Sequence, residues 1–426
     1  MNKVAIVGTG ETKFSKNDED VEQLLLESAN NCINSIKNCE LRDIEGVLVS
    51  TNGNSNYMGA ILSEMTDIQP KISHSIEHLC SSGTNAIISA YSYISSGLAD
   101  VILVSGVDSA TNPGQVLKWD ISRGDLEHPI FWATMLTKNH KRKFQTTEEE
   151  LAIVSAKNHK HAMDNPHAYS NEPKTISEIM NSKQITEDLR ILDCSRSCSG
   201  SSSIILASEE KAKKISECPI WIKGIGQKTT SASFTKNNLD EITSTRIASE
   251  NTLKMAKITS EQIDVAEVHD AFSVCELMAL SEIGLTTNEN SGEFVRNLFN
   301  TENRMINPRG GLIGAGLGSM GGQALGARQF GGGMDGGKPY LVGENGPEIV
   351  STKSNSTVTA NTDLKSTFNT AALESKMTNM VNELNAANKT LTSMVNGVNT
   401  LVAVESRALK AVETSARKDM NQVGMV

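Results

Sequence analysis

Long apolar runs, an excess of positive charge, clustered cysteines and complete metal-ligand spacings are all missing from this 426-residue chain. No apolar stretch approaches the roughly 20 residues that a membrane-spanning helix needs. Seven scattered cysteines are too few for a disulfide scaffold. The formal net charge of −10 argues against non-specific nucleic-acid binding. No Walker-type phosphate loop and no HExxH zinc motif occurs. Cys194 and Cys198 have a metal-like spacing, but no second Cys/His pair accompanies them, so a structural role is expected and no metal. The opening Met1 to Gly8 turns polar at once, unlike a signal peptide, and a cytoplasmic location follows as an expectation.

What is present is unevenly spread. Hydrophobic residues make up 38% of the chain, which is too many for wholesale disorder. All three tryptophans, seven cysteines and eight histidines precede residue 276. Residues 317–426 carry 10 basic and 9 acidic side chains, which leaves a net −11 on the first 316. Fifteen of the 32 glycines fall between Gly310 and Gly346. A packed core does not tolerate such backbone freedom over so long a stretch. Two unlike parts therefore meet near Gly316.

The first part alternates short apolar runs with helical periodicity. Val4-Ala5-Ile6-Val7, Val47-Leu48-Val49 and Val101 to Val104 read as strands, and Ile72 to Leu79 as another. Helices are predicted over 20–37, after Cys80 up to Gly97, over 243–255 and over 271–283. Strand patterns recur at Cys194 to Ala207, Ile220-Trp221-Ile222 and Val265 to Val268. This alternation predicts a layered α/β fold. Residues 111–186 are more polar, hold five histidines and contain a helical stretch from Glu148 to His161, the pattern of an excursion over the sheet. Beyond the glycines, Leu373, Met377, Met380, Leu384, Ala387, Leu391, Met394, Val398 and Leu401 keep a 4-3 spacing. That is a heptad pattern for a self-associating helix, the alternative being one amphipathic surface helix.

Three segments stand out chemically. Cys80 lies in Glu77-His78-Leu79-Cys80-Ser81-Ser82-Gly83, between a predicted strand and helix. Helix N-termini favour the thiolate, so Cys80 is a candidate nucleophile; the alternative is a buried structural cysteine. His269, in Val268-His269-Asp270-Ala271-Phe272, follows a predicted strand, where it can orient water or bind an oxyanion. The alternative is a helix cap at Asp270 with a passive neighbour. Gly310 and Gly311, in Asn307-Pro308-Arg309-Gly310-Gly311, let backbone approach a substrate. The remaining histidines form no ligand motif and read as surface or lining residues.

In this order and context the segments resemble the thiolases, most closely archaeal-type acetyl-CoA acetyltransferases of the sterol-carrier branch. The likeness runs from Val4-Ala5-Ile6-Val7-Gly8 through Gly97 to Val104 and on to Gly316. It implies a duplicated α/β fold with an N-terminal half at 1–210, a loop domain at about 111–186, and a C-terminal half at 211–316 that lacks its last helix and closing strands. It further implies acyl-CoA substrates and no separate cofactor, a homodimer, a role in lipid and mevalonate metabolism, and an OB-fold/zinc-ribbon scaffold partner. By this resemblance Cys80 takes the acyl group as a thioester, His269 helps build an oxyanion hole, and Gly310 and Gly311 lie beside the substrate.

The chain departs from the family at the boundary. Where thiolases continue glycine-histidine-proline, it reads Gly316-Leu317-Gly318, with no histidine after His269 and no cysteine after Cys275. The activating histidine and the second catalytic cysteine are thus missing. Gly337 to Glu348 instead resembles the YLVGExGPE motif of phage tail tape-measure proteins. The sequence divides 317–362 as a Gly-rich linker from 363–426 as a heptad helix, and suggests a fusion.

Overall fold

The computed structural model of the protein describes residues 3–17, 19–51, 56–109, 128–233 and 236–315, together with four short strands between 332 and 358. The heptad helix, the first part of the predicted loop domain (110–127) and the Gly316-Leu317-Gly318 junction lie outside the described residues. The first compact unit ends at Ala360 and the second holds Asn361–Val426.

The chain begins with β1 (Val4–Glu11), α1 (Val21–Asn34), β2 (Gly46–Thr51), α2 (Met58–Met65) and β3 (Ile72–Ile76). It continues with α3 (Ser82–Ser95), β4 (Val101–Asp108), α4 (Pro129–Phe144), α5 (Glu148–Ala162) and α6 (Ile176–Met180). The strands β5 (Gln184–Thr186), β6 (Leu189–Arg190) and β7 (Gly200–Ser208) follow, then α7 (Glu209–Ile215) and β8 (Ile220–Gly224). Four helices come next: α8 (Thr243–Ala256), α9 (Ser273–Glu282), α10 (Ser291–Asn300) and α11 (Gly311–Ala315). The short strands are β9 (Gly332–Met334), β10 (Pro339–Val342), β11 (Glu348–Ser351) and β12 (Ser356–Val358).

Eight strands form the main sheet in the order β10-β11-β8-β1-β7-β4-β2-β3. β2 runs parallel to both β3 and β4, while β7 lies antiparallel between β4 and β1. The apolar runs of β2, β4 and β7 are buried on both faces, as sheets covered by helices require. On one face Ile87, Ala90 and Ile94 of α3 pack against Leu48, Ile102, Val104 and Leu206. On the other, Leu24, Leu25 and Ala29 of α1 and Leu62 of α2 pack against Val47, Val49, Leu103 and Ile205.

A third cluster joins Leu151 and Val154 of α5 to Leu277, Met278 and Leu280 of α9 and Val295 and Leu298 of α10. The α5 terminus is a capping box: Thr147 Oγ1 accepts from the Glu150 N–H, and the Glu150 carboxylate accepts from the Thr147 N–H. The helix thus starts where three glutamates favour the positive end of its dipole.

Two sequence expectations change. Val265 to Val268 form no named strand; Ala266 makes a single parallel bridge to Ile306, because its neighbour is the short 305–307 segment. No closing strands were expected beyond Gly316, yet β11 pairs antiparallel with β8, and β10 with β11, so β8 is not an open edge.

Candidate active site

Cys80 sits in a single 3-10 turn, Leu79–Ser81, between β3 and α3. Leu79 adopts φ +49°, a left-handed conformation that is rare for a residue with a side chain. Such outliers persist only where neighbours over-determine them, and here they do. The Leu79 N–H donates to Glu77 Oε1 at 2.8 Å. Ser82 Oγ accepts from the His78 N–H and donates to the Leu79 carbonyl, both at 2.7 Å. Ser81 Oγ donates to the His78 carbonyl, and Asn85 Nδ2 to the Ser81 carbonyl, both at 2.9 Å. No side chain caps α3, so its dipole acts on the turn that carries the half-buried Cys80.

His269 lies in the extended segment ahead of α9 and is half-buried. Its Nδ1 is buried with no hydrogen-bond partner among the described residues. Burial lowers its pKa to about 4, so the ring is neutral at physiological pH. Cys275, in the first turn of α9, has its thiol raised to about 12, chiefly by burial and in smaller part by Asp270 and Cys80. Cys80 is therefore within electrostatic reach of the helix that His269 precedes.

Beside His269, Asp270 is buried and caps α11. Its Oδ1 accepts the Leu312 N–H at 2.6 Å and its Oδ2 the Ile313 N–H at 3.1 Å. Asn158 Nδ2 donates to Asp270 Oδ2 at 2.7 Å and to Glu276 Oε2 at 2.8 Å. Glu276 Oε2 also accepts from Asn307 Nδ2 at 2.9 Å, and its Oε1 pairs with Lys157 at 3.2 Å. Burial and the neighbouring Glu276 raise Asp270 to about 7. Arg309 Nη2 bonds Glu11 Oε2 of β1 and Asn165 Oδ1, both at 3.0 Å.

Gly310 and Gly311 are buried in this frame, at φ +108° and +55°. A Cβ on Gly310 would fall 2.6 Å from Ala162 Cβ, and one on Gly311 would fall 2.2 Å from Asp270 Oδ2. Among the described residues the close approach their lack of a side chain permits is to protein: α5 and the cap.

The sequence reading did not single out Lys157, Asn158, Glu276 or Asn307. Their signal was faint: an Asn-Pro-Arg-Gly turn, and polar residues within a helix that buries every face from Leu151 to His159. Of the other histidines, read as surface or lining residues, His140, His159 and His161 are not on the surface but buried, and His161 lines a cavity with Lys157 and Arg304. His161 Nδ1 donates to the Asn307 carbonyl at 2.9 Å, and burial beside Lys157 lowers its pKa to about 3. Cys194 donates to the Arg190 carbonyl at 3.3 Å and burial raises its thiol to about 12; Cys198 is buried. Among the described residues, no three His, Cys, Asp or Glu side chains converge as metal ligands, and no helix is long and apolar enough to cross a membrane.

Residues 4–188 match the thiolase N-terminal domain, and residues 226–326 match the thiolase C-terminal domain-like family. Acetyl-CoA acetyltransferase of Methanothermobacter thermautotrophicus is 28% identical over 341 residues, covering 75% of this chain and 88% of that protein. Two solved structures share the fold. The Ltp2-ChsH2(DUF35) aldolase has a TM-score of 0.69 at 20% identity, over 83% of this chain and 98% of its own. Human mitochondrial 3-ketoacyl-CoA thiolase in complex with CoA has a TM-score of 0.61 at 16% identity, over 82% and 98%.

Proposed function

Since this chain belongs to the thiolase family, we propose that it is an acyltransferase acting on acyl-CoA, in which Cys80 takes up the acyl group as a thioester. The braced turn at Leu79 carries this reading: it holds one cysteine at an uncapped helix N-terminus, where the thiolate is favoured. To His269, which burial keeps neutral, we assign a hydrogen bond to the developing oxyanion. The similarity to an acetyl-CoA acetyltransferase supports an acetyl-sized substrate. Gly310 and Gly311 act by positioning α11 against Asp270 rather than by side-chain contact.

Carbon–carbon condensation is lost, because Gly316-Leu317-Gly318 lacks the activating histidine and no second cysteine follows Cys275. Groups that act as a unit fail together. Incubation with acetyl-CoA followed by intact-protein mass spectrometry is expected to show one acetyl adduct, absent in Cys80→Ser. Binding of acetyl-CoA without an adduct would mark a non-catalytic binder. Robust acetoacetyl-CoA thiolysis would show that condensation chemistry survives.

A homo-oligomer and an OB-fold/zinc-ribbon partner belong to the same reading; the structurally similar aldolase is named with ChsH2(DUF35). A second reading concerns the tail. The heptad spacing from Leu373 to Leu401 supports a self-assembling helix like that of a tape-measure protein. Truncation at Gly316 that left the oligomeric state unchanged would remove that role.

A further inference from the structure

The segment that leaves β8 reaches the turn that carries Cys80. Gly224 and Gly226 are pressed against α8: a Cβ on Gly224 would fall 2.4 Å from the Thr252 carbonyl oxygen, and one on Gly226 would fall 2.0 Å from that of Ala248. Ile225, between them, packs instead against the cluster that contains α3. Gln227 turns the same way as Ile225, and its Nε2 donates to Asn85 Oδ1 of α3. Asn85 in turn donates from Nδ2 to the Ser81 carbonyl at 2.9 Å. Two hydrogen bonds thus run from the exposed Gln227, through the half-buried Asn85, to the residue that follows Cys80.

The bonds made by Glu77, Ser81 and Ser82 brace the turn from within. The link through Asn85 braces it from outside, and its two ends belong to different parts of the chain. Asn85 falls in the match to the thiolase N-terminal domain, and Gln227 in the match to the C-terminal domain-like family. A hydrogen bond between side chains near the surface adds little net stability, because water replaces it. Its consequence lies in what it orients.

We propose that Gln227 is a positioning residue for Cys80, acting through Asn85 on the Ser81 carbonyl. The inference rests on the reading of Cys80 as the nucleophile and deepens it. An unheld asparagine side chain samples several rotamers. With Oδ1 engaged by Gln227, Nδ2 stays on the Ser81 carbonyl, which is the negative end of a peptide unit beside Cys80. Swung towards the thiol, that oxygen disfavours the thiolate; bonded to Asn85, one turn further along α3, it stays aligned with the helix whose N-terminal end favours the thiolate. A residue of the C-terminal part thereby sets how much of Cys80 is ionised.

Alkylation of Cys80 by iodoacetamide, followed in the full chain by peptide mass spectrometry, tests this without any acyl-CoA. Gln227 is exposed, so Gln227→Ala is expected to fold with an unchanged melting transition. Its Cys80 alkylation at pH 7 is expected to slow roughly 5-fold, the order of one lost hydrogen bond, with the pH midpoint of alkylation moving upward. Asn85→Ala is expected to slow it at least as much, and Gln227→Ala to add nothing in that background. An unchanged rate and midpoint in either single variant, or an equal slowing by Gln227→Ala with and without Asn85, overturns the proposal. If the alkylation results hold while acetyl-CoA leaves no adduct on the unsubstituted chain, the positioning stands and the acyl-transfer reading falls instead.

Discussion

Asp270 Oδ1 accepts the Leu312 N–H at 2.6 Å, so the residue next to His269 is the N-terminal cap of α11. One carboxyl thereby ties the loop before α9 to the glycine turn 42 residues later. Replacing it with alanine leaves two helix N–H groups without their acceptor and removes one of the two acceptors of the Asn158 amide. Asp270→Ala is expected to cost roughly 2–3 kcal/mol in urea unfolding, and Asp270→Asn less, since one oxygen still accepts.

Gly311→Ala is expected to be worse than Gly97→Ala. Both glycines have positive φ, +55° and +79°. A Cβ at Gly97 meets nothing within 4 Å, whereas at Gly311 it collides with the Asp270 carboxylate. The first change carries only the backbone term of about 1 kcal/mol; the second adds the displaced cap. Paired melting curves separate them.

Lys157 and Glu276, both almost fully buried, form an ion pair at 3.2 Å. Lys157→Met strands a buried carboxylate and is expected to cost about 3–5 kcal/mol. Adding Glu276→Gln should recover a large part of that loss. A double-mutant cycle measures the coupling, and strict additivity would refute it.

Acid stability depends on His161. Its pKa in the fold is lowered to about 3, below the ordinary histidine value, so the fold binds its proton less readily than the unfolded chain. Its contribution is present above the ordinary value near 6.5 and is lost as pH falls from there towards 3. His161→Gln is expected to flatten unfolding free energy against pH in that window, as urea titrations at pH 7, 5.5 and 4 would show.

Features that local patterns encode were legible in the sequence alone. Apolar runs marked β1, β2 and β4; helical patterns marked α1 and α5; and Cys80 fell between a strand and a helix. The sequence also located the break near Gly316, where composition changes. Which polar residues are buried together emerges only when the segments pack. Asn158 meets Asp270 across 112 residues and Lys157 meets Glu276 across 119. No spacing rule announces such pairs, because their partners come from other helices and burial alone makes the pairing obligatory. For the same reason the close packing of Gly310 and Gly311 against α5 and the Asp270 cap, and the burial of His140, His159 and His161, cannot be read from the sequence. Periodicity is a property of one segment; the low dielectric that shifts His161 and His269 exists only once several segments have packed.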